Sequence, residues 1–446
     1  MSRNLALHIL LRVEKEGLFA APLLDRELER SRLDPLDKGL ATEIVYGVLR
    51  WQGRLDALLS PLLRYPLAEM DPLLRQILRM AVYQLRFLDR IPAFAVVDEA
   101  VKMATSSLSQ RQGNFVNAIL RKIAQEPPQR MPPGPSSDLA EWAAHYSHPP
   151  DLVRDWIGHL GEAEAAALME ANNQTPYLGL QVNTLKTDAP SLRQALSAQV
   201  KVMEEGSLVP DFFRVRGLWG IRGARSYLAG WFQVMDEASA LIPYLLNPQP
   251  GEQILDACAG KGGKAALLGQ LMKNRGAIAA VDLNEKALST LKENCRRLGI
   301  HIVEPVWGDV RQAETSGGRR FDKILLDAPC SGLGTLRHHP EIKWRRPLAS
   351  LPQMRELQAS LLHGVAAYLR PGGVLVYATC SPQPQEDEEV VEEFLSSHPS
   401  FSVEDLSSHL PKPVGGAITA QGYLRTFPHR HGTDAFFAAR LRCCPD

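Results

Sequence analysis

Four apolar runs in the second half of the chain each stop at a polar or glycine-rich turn: Ile254–Gly260 (ILDACAG), Ala277–Asn284 (AIAAVDLN), Lys323–Cys330 (KILLDAPC) and Gly373–Cys380 (GVLVYATC). Short apolar runs without alternation fit strands buried on both faces, and helical stretches at Lys264–Lys273, Glu285–Leu298 and Leu351–Leu369 separate them. Strands alternating with helices predict an α/β fold with a doubly wound, mainly parallel sheet. Ligands in such sheets lie beyond the carboxyl ends of the strands, so the residues closing each run are the candidates for chemistry.

The rest of the chain is organised differently. From Leu5 to Ile123 apolar residues recur at helical spacing, as in Leu74, Ile77, Leu78, Ala81, Val82 and Leu85, and prolines after Asp34, Ser60, Asp71 and Ile91 fall where helices start. Residues 1–130 therefore read as an all-α bundle, with 19 Lys/Arg, mostly Arg, against 15 Asp/Glu. Arg suits bidentate phosphate contacts. Five prolines in the ten residues Glu126–Pro135 mark a linker. Residues 138–231 mix helical stretches with short strand-like runs (Leu178–Val182, Phe212–Val215), a small α+β domain, and 232–446 hold the doubly wound domain. Three domains agree with 446 residues at roughly 150 each.

Composition excludes several classes. With 45% hydrophobic and 22% charged residues the chain is neither disordered nor fibrous. Basic and acidic residues number 50 each, so only local clustering can point to a partner. The six cysteines form no CxxC pair, so neither a metal site nor a disulfide framework is expected. No run reaches the ~18 uncharged apolar residues of a membrane span. A cytoplasmic protein is expected, and without a coiled-coil pattern a monomer.

The turn Asp256-Ala257-Cys258-Ala259-Gly260-Lys261-Gly262-Gly263-Lys264 follows a strand and opens a helix, where glycines let a ligand approach the backbone. It lacks both the P-loop ending and the strict dinucleotide glycine spacing, and an ordinary tight turn is the competing reading. Asp282 closes the next strand about twenty residues on, the distance at which an acid meets a ribose hydroxyl pair. Asp309 stands where a carboxylate would accept from an adenine amino group. Either acid alone could be a helix N-cap. Together, the turn and the acids favour an adenosine cofactor that needs no phosphate clamp, S-adenosylmethionine before NAD or ATP.

Two strands end in cysteines, Asp327-Ala328-Pro329-Cys330-Ser331-Gly332 and Thr379-Cys380-Ser381. A free cysteine usually only packs, and Cys258, Cys295, Cys443 and Cys444 take that reading. Carbon 5 of a pyrimidine is a weak nucleophile, and methylating it demands prior addition of a thiolate at carbon 6. Asp327, in the turn of Cys330, is the carboxyl available to hold or share the ring nitrogen 3 proton. A second thiol would assist release, which gives two cysteines two tasks.

The Cys258 turn, DAPCSG and ATCS, in that order, resemble the RNA 5-methylcytosine methyltransferase family. The resemblance implies Cys380 as nucleophile, Cys330 as the release group, and Lys264 near the substrate or Asp327. YGVLRW, LRMAVYQL and FVNAILRK are similar to the antitermination-factor-like (NusB-like) RNA-binding domain of the small-subunit ribosomal RNA branch, so the likeness spans nearly the whole chain. It implies a Rossmann-like methyltransferase domain behind an all-α NusB-like domain and an α+β linking domain, with ribosomal RNA as partner. Two departures stand out: Gly260-Lys261 replaces the family's Ala-Pro, and Glu386-Asp387 replaces its Glu-Asn.

Arg337–Arg346 (RHHPEIKWRR) follows the Cys330 turn and joins cations to a tryptophan, so it is expected to meet RNA by phosphate contact and stacking. Its adjacent histidines without a third ligand make a poor metal site. Two further functions compete with cytosine C5 methylation: a non-catalytic RNA-binding assembly factor whose cofactor turn is degraded at Gly260-Lys261, and methylation of an exocyclic amine, which needs no thiol.

Overall fold

The computed structural model describes residues 1–125, 138–218, 220–312, 315, 317–345, 348–412 and 414–444. The proline-rich stretch Glu126–Pro135 and Arg346 lie outside the described residues, save that Glu126–Pro135 separates the helices on either side of it in sequence. The chain divides into two compact units, Met1–Gln174 with Leu336–Leu348, and Thr175–Thr335 with Ala349–Asp446.

The first unit is helical: Ser2–Glu16, Ala20–Arg30, Pro35–Leu59, Pro72–Phe87, Ala93–Ser107 and Gln110–Gln125 are followed by Leu139–Tyr146, Pro150–Leu160 and Glu162–Asn172. Proline opens the third and fourth helices, and the preceding Asp34 and Asp71 carboxylates accept from Asp37 N and from Leu73 and Leu74 N, supplying partners to otherwise orphaned amides. The stripe Leu74, Ile77, Leu78, Ala81 and Val82 is buried with Ile9, Leu10, Ile44, Val48 and Leu55 in one core. Helices cross closely at Gly47, where an added Cβ would lie 1.9 Å from the Tyr83 ring.

Leu336–Leu348 belongs to this helical unit, which corrects the expectation that the Arg337–Arg346 loop offers its cations and Trp344 to RNA. Arg337 is 5% exposed and Lys343 3%. The Lys343 ammonium donates to Arg50 O (3.2 Å), Ser147 O (3.1 Å) and Asn173 Oδ1 (2.6 Å). Arg345 donates to Val13 O, Gly17 O and Leu18 O at 2.7–2.9 Å. Trp344 packs so close to Gly53 that a Cβ there would meet its ring at 2.8 Å. Helix ends supply much of the reason: Gly17 and Ser147 are C-caps, and the carbonyls around them lack helical partners, while Lys343 adds the interior carbonyl of Arg50 and the side-chain oxygen of the C-cap Asn173. The charge pattern read as one for phosphates, but Lys343 and Arg345 are taken up by acceptors within the helical unit. Lys343→Met strands three acceptors and is expected to cost about 3 kcal/mol, read as a lower thermal unfolding transition of the full chain. An unchanged transition would assign the clamp no net worth.

The second unit holds two sheets. In the smaller, β1 (Leu178–Val182), β2 (Val202–Glu205), β3 (Phe212–Arg216) and β4 (Phe232–Val234) run antiparallel in the order β2-β3-β1-β4. Leu180, Val182, Phe213, Val215 and Phe232 face Leu192 and Leu196 of the helix Ala189–Leu196. The larger sheet contains β5 (Gln253–Asp256), β6 (Ala277–Asp282), β7 (Val303–Trp307), β8 (Phe321–Asp327), β9 (Leu369–Thr379), β10 (Phe401–Glu404), β11 (Leu424–Arg425) and β12 (Phe437–Cys443). Its order is β10-β12-β9-β8-β5-β6-β7, with β11 beside β12. β5 to β9 are mutually parallel, and β12 runs antiparallel between β9 and β10. This is the expected doubly wound α/β architecture with an antiparallel extension. Helices Gly263–Leu271, Glu285–Leu298 and Leu351–Ala366 supply the crossovers. Parallel pairing aligns the ends of β5, β6, β8 and β9 along one edge. Among the described residues no helix is long and apolar enough to cross a membrane.

Candidate active site

The register of β8 and β9 brings the two cysteine turns together. Asp327 pairs with Ala378, and Ala328 N donates to Ala378 O at 2.8 Å. Cys330 and Cys380 lie a few residues beyond this pairing on neighbouring strands, and their Sγ atoms meet at 2.9 Å. Both are free thiols, part-buried rather than sealed. Gly334 permits the approach: its N–H donates to Cys380 O at 2.9 Å, and a Cβ there would lie 2.1 Å from Ala435 O. Two thiols this close do not ionise together. The hydrogen bond to Cys380, then burial, holds the Cys330 pKa well above its usual value.

Lys264, in the first turn of its helix, donates to Asp327 Oδ2 at 2.6 Å. Burial pulls the Lys264 pKa down, but the Asp327 carboxylate, helped by the fields of Cys380 and Asp256, offsets this and the net shift is upward. The Lys264 ammonium thus stands in the field of both Asp327 and Cys380. Asp256 is 1% exposed, and neither of its carboxylate oxygens has a hydrogen-bond partner. Burial, reinforced by Asp327, pushes its carboxyl up to about 7.

The glycine turn closes on the strands around it. Ala257 N donates to Leu325 O and Ala259 N to Val281 O, while Gly260 N donates to Asp282 Oδ2 at 2.8 Å. Gly260 (φ 53°) and Gly262 (φ 81°) take left-handed conformations that glycine tolerates. Gly260, at one of the two departures, is therefore suited to its backbone, and Lys261 beside it is exposed. No atom lies within 4 Å of a Cβ built at Gly260 or Gly263, so the turn opens onto free space, whereas at Gly262 it would strike Leu291. Cys258 follows Asp256 in this turn, and burial pushes its thiol pKa far up, leaving it inert.

Asp282 spends its other oxygen on Asn284 N (2.7 Å) and retains lone pairs for a ribose. Asp309 is gripped by Arg311 through Nε and Nη2 (2.9 and 2.6 Å), which lowers its pKa. Any adenine amino group there shares the carboxylate with Arg311. Sequence reasoning missed two neighbours, Leu283 (66% exposed) and Trp307 (69% exposed), whose indole donates to Leu283 O at 3.1 Å. An exposed tryptophan just before the Gly308-Asp309 turn was the available signal.

At the second departure, Asp387 is fully buried. Its Oδ1 accepts from Thr379 Oγ1 at 2.5 Å, and its Oδ2 accepts from Arg425 Nη2 at 3.0 Å. Burial drives its pKa up and Arg425 opposes this. The acid that replaces the family's asparagine thus has its own counterion, and it still holds the residue before Cys380.

Comparison with known proteins gives matches to family models described as 16S rRNA methyltransferase RsmB/F over residues 243–442, NusB family over 1–125, and an RsmF/B-like ferredoxin-like domain over 148–218. The chain is 34% identical over 448 residues to a probable ribosomal RNA small subunit methyltransferase B of Bacillus subtilis (strain 168), covering 99% of this chain and 98% of that protein. It is equally 34% identical over 445 residues to a probable ribosomal RNA small subunit methyltransferase B of Synechocystis sp., covering 99% of each. The crystal structure of PH0851 matches with a TM-score of 0.83 at 29% identity over 99% of this chain and 98% of that one.

Proposed function

Because the chain belongs to the 16S rRNA methyltransferase RsmB/F family, we propose that it transfers a methyl group from S-adenosylmethionine to carbon 5 of a cytosine in small-subunit ribosomal RNA, through a covalent adduct on Cys380. The observation that carries this reading is the 2.9 Å approach of Cys330 and Cys380 beside the Lys264–Asp327 pair. Methylation of an exocyclic amine has no use for two thiols.

The cradle fits the cofactor: the open turn at Gly260 and Gly263 admits a ligand, and Asp256 offers two unpartnered acceptor oxygens to an ammonium group. Asp256 to Lys264 would hold the amino-acid end, and Asp282, Asp309, Leu283 and Trp307 the adenosine. When bound, the cofactor supplies an electrophilic methyl group.

The chain's own residues do the rest. Cys380, beside the Lys264 cation, is the thiolate that adds to carbon 6, while the Lys264–Asp327 pair lends a proton to ring nitrogen 3 and takes it back once carbon 5 carries the methyl group. Once the Cys380 sulfur is bonded to carbon, the hydrogen bond that kept Cys330 protonated is gone. Cys330 can then release its proton to solvent and take the one from carbon 5; that electron pair restores the double bond between carbons 5 and 6, and Cys380 leaves as thiolate. The match at residues 1–125 supports RNA binding by the helical part of a three-domain, monomeric, cytoplasmic enzyme.

The test is incubation with methyl-labelled S-adenosylmethionine and small-subunit ribosomal RNA, followed by nucleoside mapping. Label in 5-methylcytosine is expected. Label confined to another nucleoside, or no transfer at all, refutes the reading.

A further inference from the structure

Behind the two thiols lies a carboxylate that the mechanism above does not use. Glu386 ends the short turn Pro384–Glu386 and is 0% exposed. Its Oε1 accepts from Ser331 N (2.7 Å) and Gln358 Nε2 (3.1 Å), and its Oε2 accepts from Ser331 Oγ (2.6 Å) and Ser381 Oγ (2.5 Å). Ser331 directly follows Cys330, and Ser381 directly follows Cys380. Gln358 also donates to Pro329 O at 2.9 Å, on the other side of Cys330. One buried carboxylate thus gathers donors from both reactive turns.

The serine hydroxyls have little freedom to turn away. While donating to Glu386, Ser331 Oγ accepts from Leu333 N (3.3 Å) and Ser381 Oγ from Gln383 N (3.1 Å). The Glu386 backbone is fixed too, since the Tyr377 hydroxyl donates to its carbonyl at 2.6 Å. A carboxylate buried only for stability would be satisfied by any donors, whereas these flank the two sulfur atoms.

We infer that Glu386 is the positioning residue of the thiol pair: through Ser331, Ser381 and Gln358 it holds the Cys330 and Cys380 turns together and sets the separation of their sulfurs. The inference rests on the reading of these cysteines as release group and nucleophile, but its geometric core can be tested without RNA.

Dibromobimane becomes fluorescent when it bridges two neighbouring thiols. In full-length protein carrying Cys443→Ser and Cys444→Ser, to remove the adjacent terminal pair, the resting enzyme is expected to bridge Cys330 and Cys380. Glu386→Ala, and independently the double variant Ser331→Ala/Ser381→Ala, are expected to bridge more slowly and less completely than the parent, with more singly alkylated protein. Their kcat should fall about 100-fold, the cost of a displacement near 1 Å, with KM for RNA within about twofold. Glu386→Gln, which keeps the shape and one acceptor oxygen, is expected to restore part of both signals. If Glu386→Ala does not fold, the serine variant carries the test alone. Folded variants that bridge and turn over like the parent overturn the inference, as does a parent that never bridges. A parent that bridges but places no methyl on cytosine refutes the catalytic reading and leaves the clamp standing.

Discussion

Replacing Cys380 with alanine is expected to lower methyl transfer by about 10⁴-fold or more, some 5.5 kcal/mol of transition-state stabilisation, and to abolish any covalent RNA complex. On the proposed mechanism the loss is large because the thiolate is a reactant: without addition at carbon 6, carbon 5 would stay a poor nucleophile however well the base is bound. Cofactor affinity should be unchanged, since the cradle is built from a different turn, and equilibrium binding of S-adenosylmethionine checks this. Turnover within tenfold of the parent would assign the attack to another group.

The second large effect has the opposite appearance. Cys330→Ala should still attack RNA, because Cys380 and the facing Lys264 cation remain, but it should fail to release it. A protein–RNA complex that survives denaturing electrophoresis is expected to accumulate, while multiple turnover falls by roughly 100-fold or more, the scale of a lost general base. Normal release by Cys330→Ala would refute the division of labour, and an adduct seen with Cys380→Ala instead would exchange the two roles.

The crossover helices and parallel strands of the large sheet were legible because burial on both faces leaves uninterrupted apolar runs, and the boundaries of Glu285–Leu298 and Leu178–Val182 match the expectation residue for residue. Strand β12 was not. Its sequence FAARLRC carries two arginines, and only the structure reveals that Arg440 donates to Leu245 O and Leu246 O at a helix end while pairing with Glu404. The same blindness affected the loop after Cys330, where Lys343 and Arg345 bond acceptors of the helical unit, several of them at helix C-termini, instead of phosphate. Linear sequence gives the number and type of charges but not which carbonyls lack partners. Within the site, the strand-end acids and thiols stood out because each closes an apolar run. Glu386 did not, since a buried acid and an exposed one are spelled alike. Its meaning comes from the serines beside each cysteine, which the eye passes over as small residues in a turn.

The segment Leu336–Leu348 starts six residues after Cys330, yet it is part of the unit formed by the amino-terminal helices. The leading half of the gene is therefore not a detachable cassette. Cut away, it would leave a catalytic fragment trailing an orphaned key of buried cations. Exchanged for the equivalent half of a relative, it would bring a socket of carbonyls cut for another key. The two parts have to be inherited, expressed and engineered as a matched set.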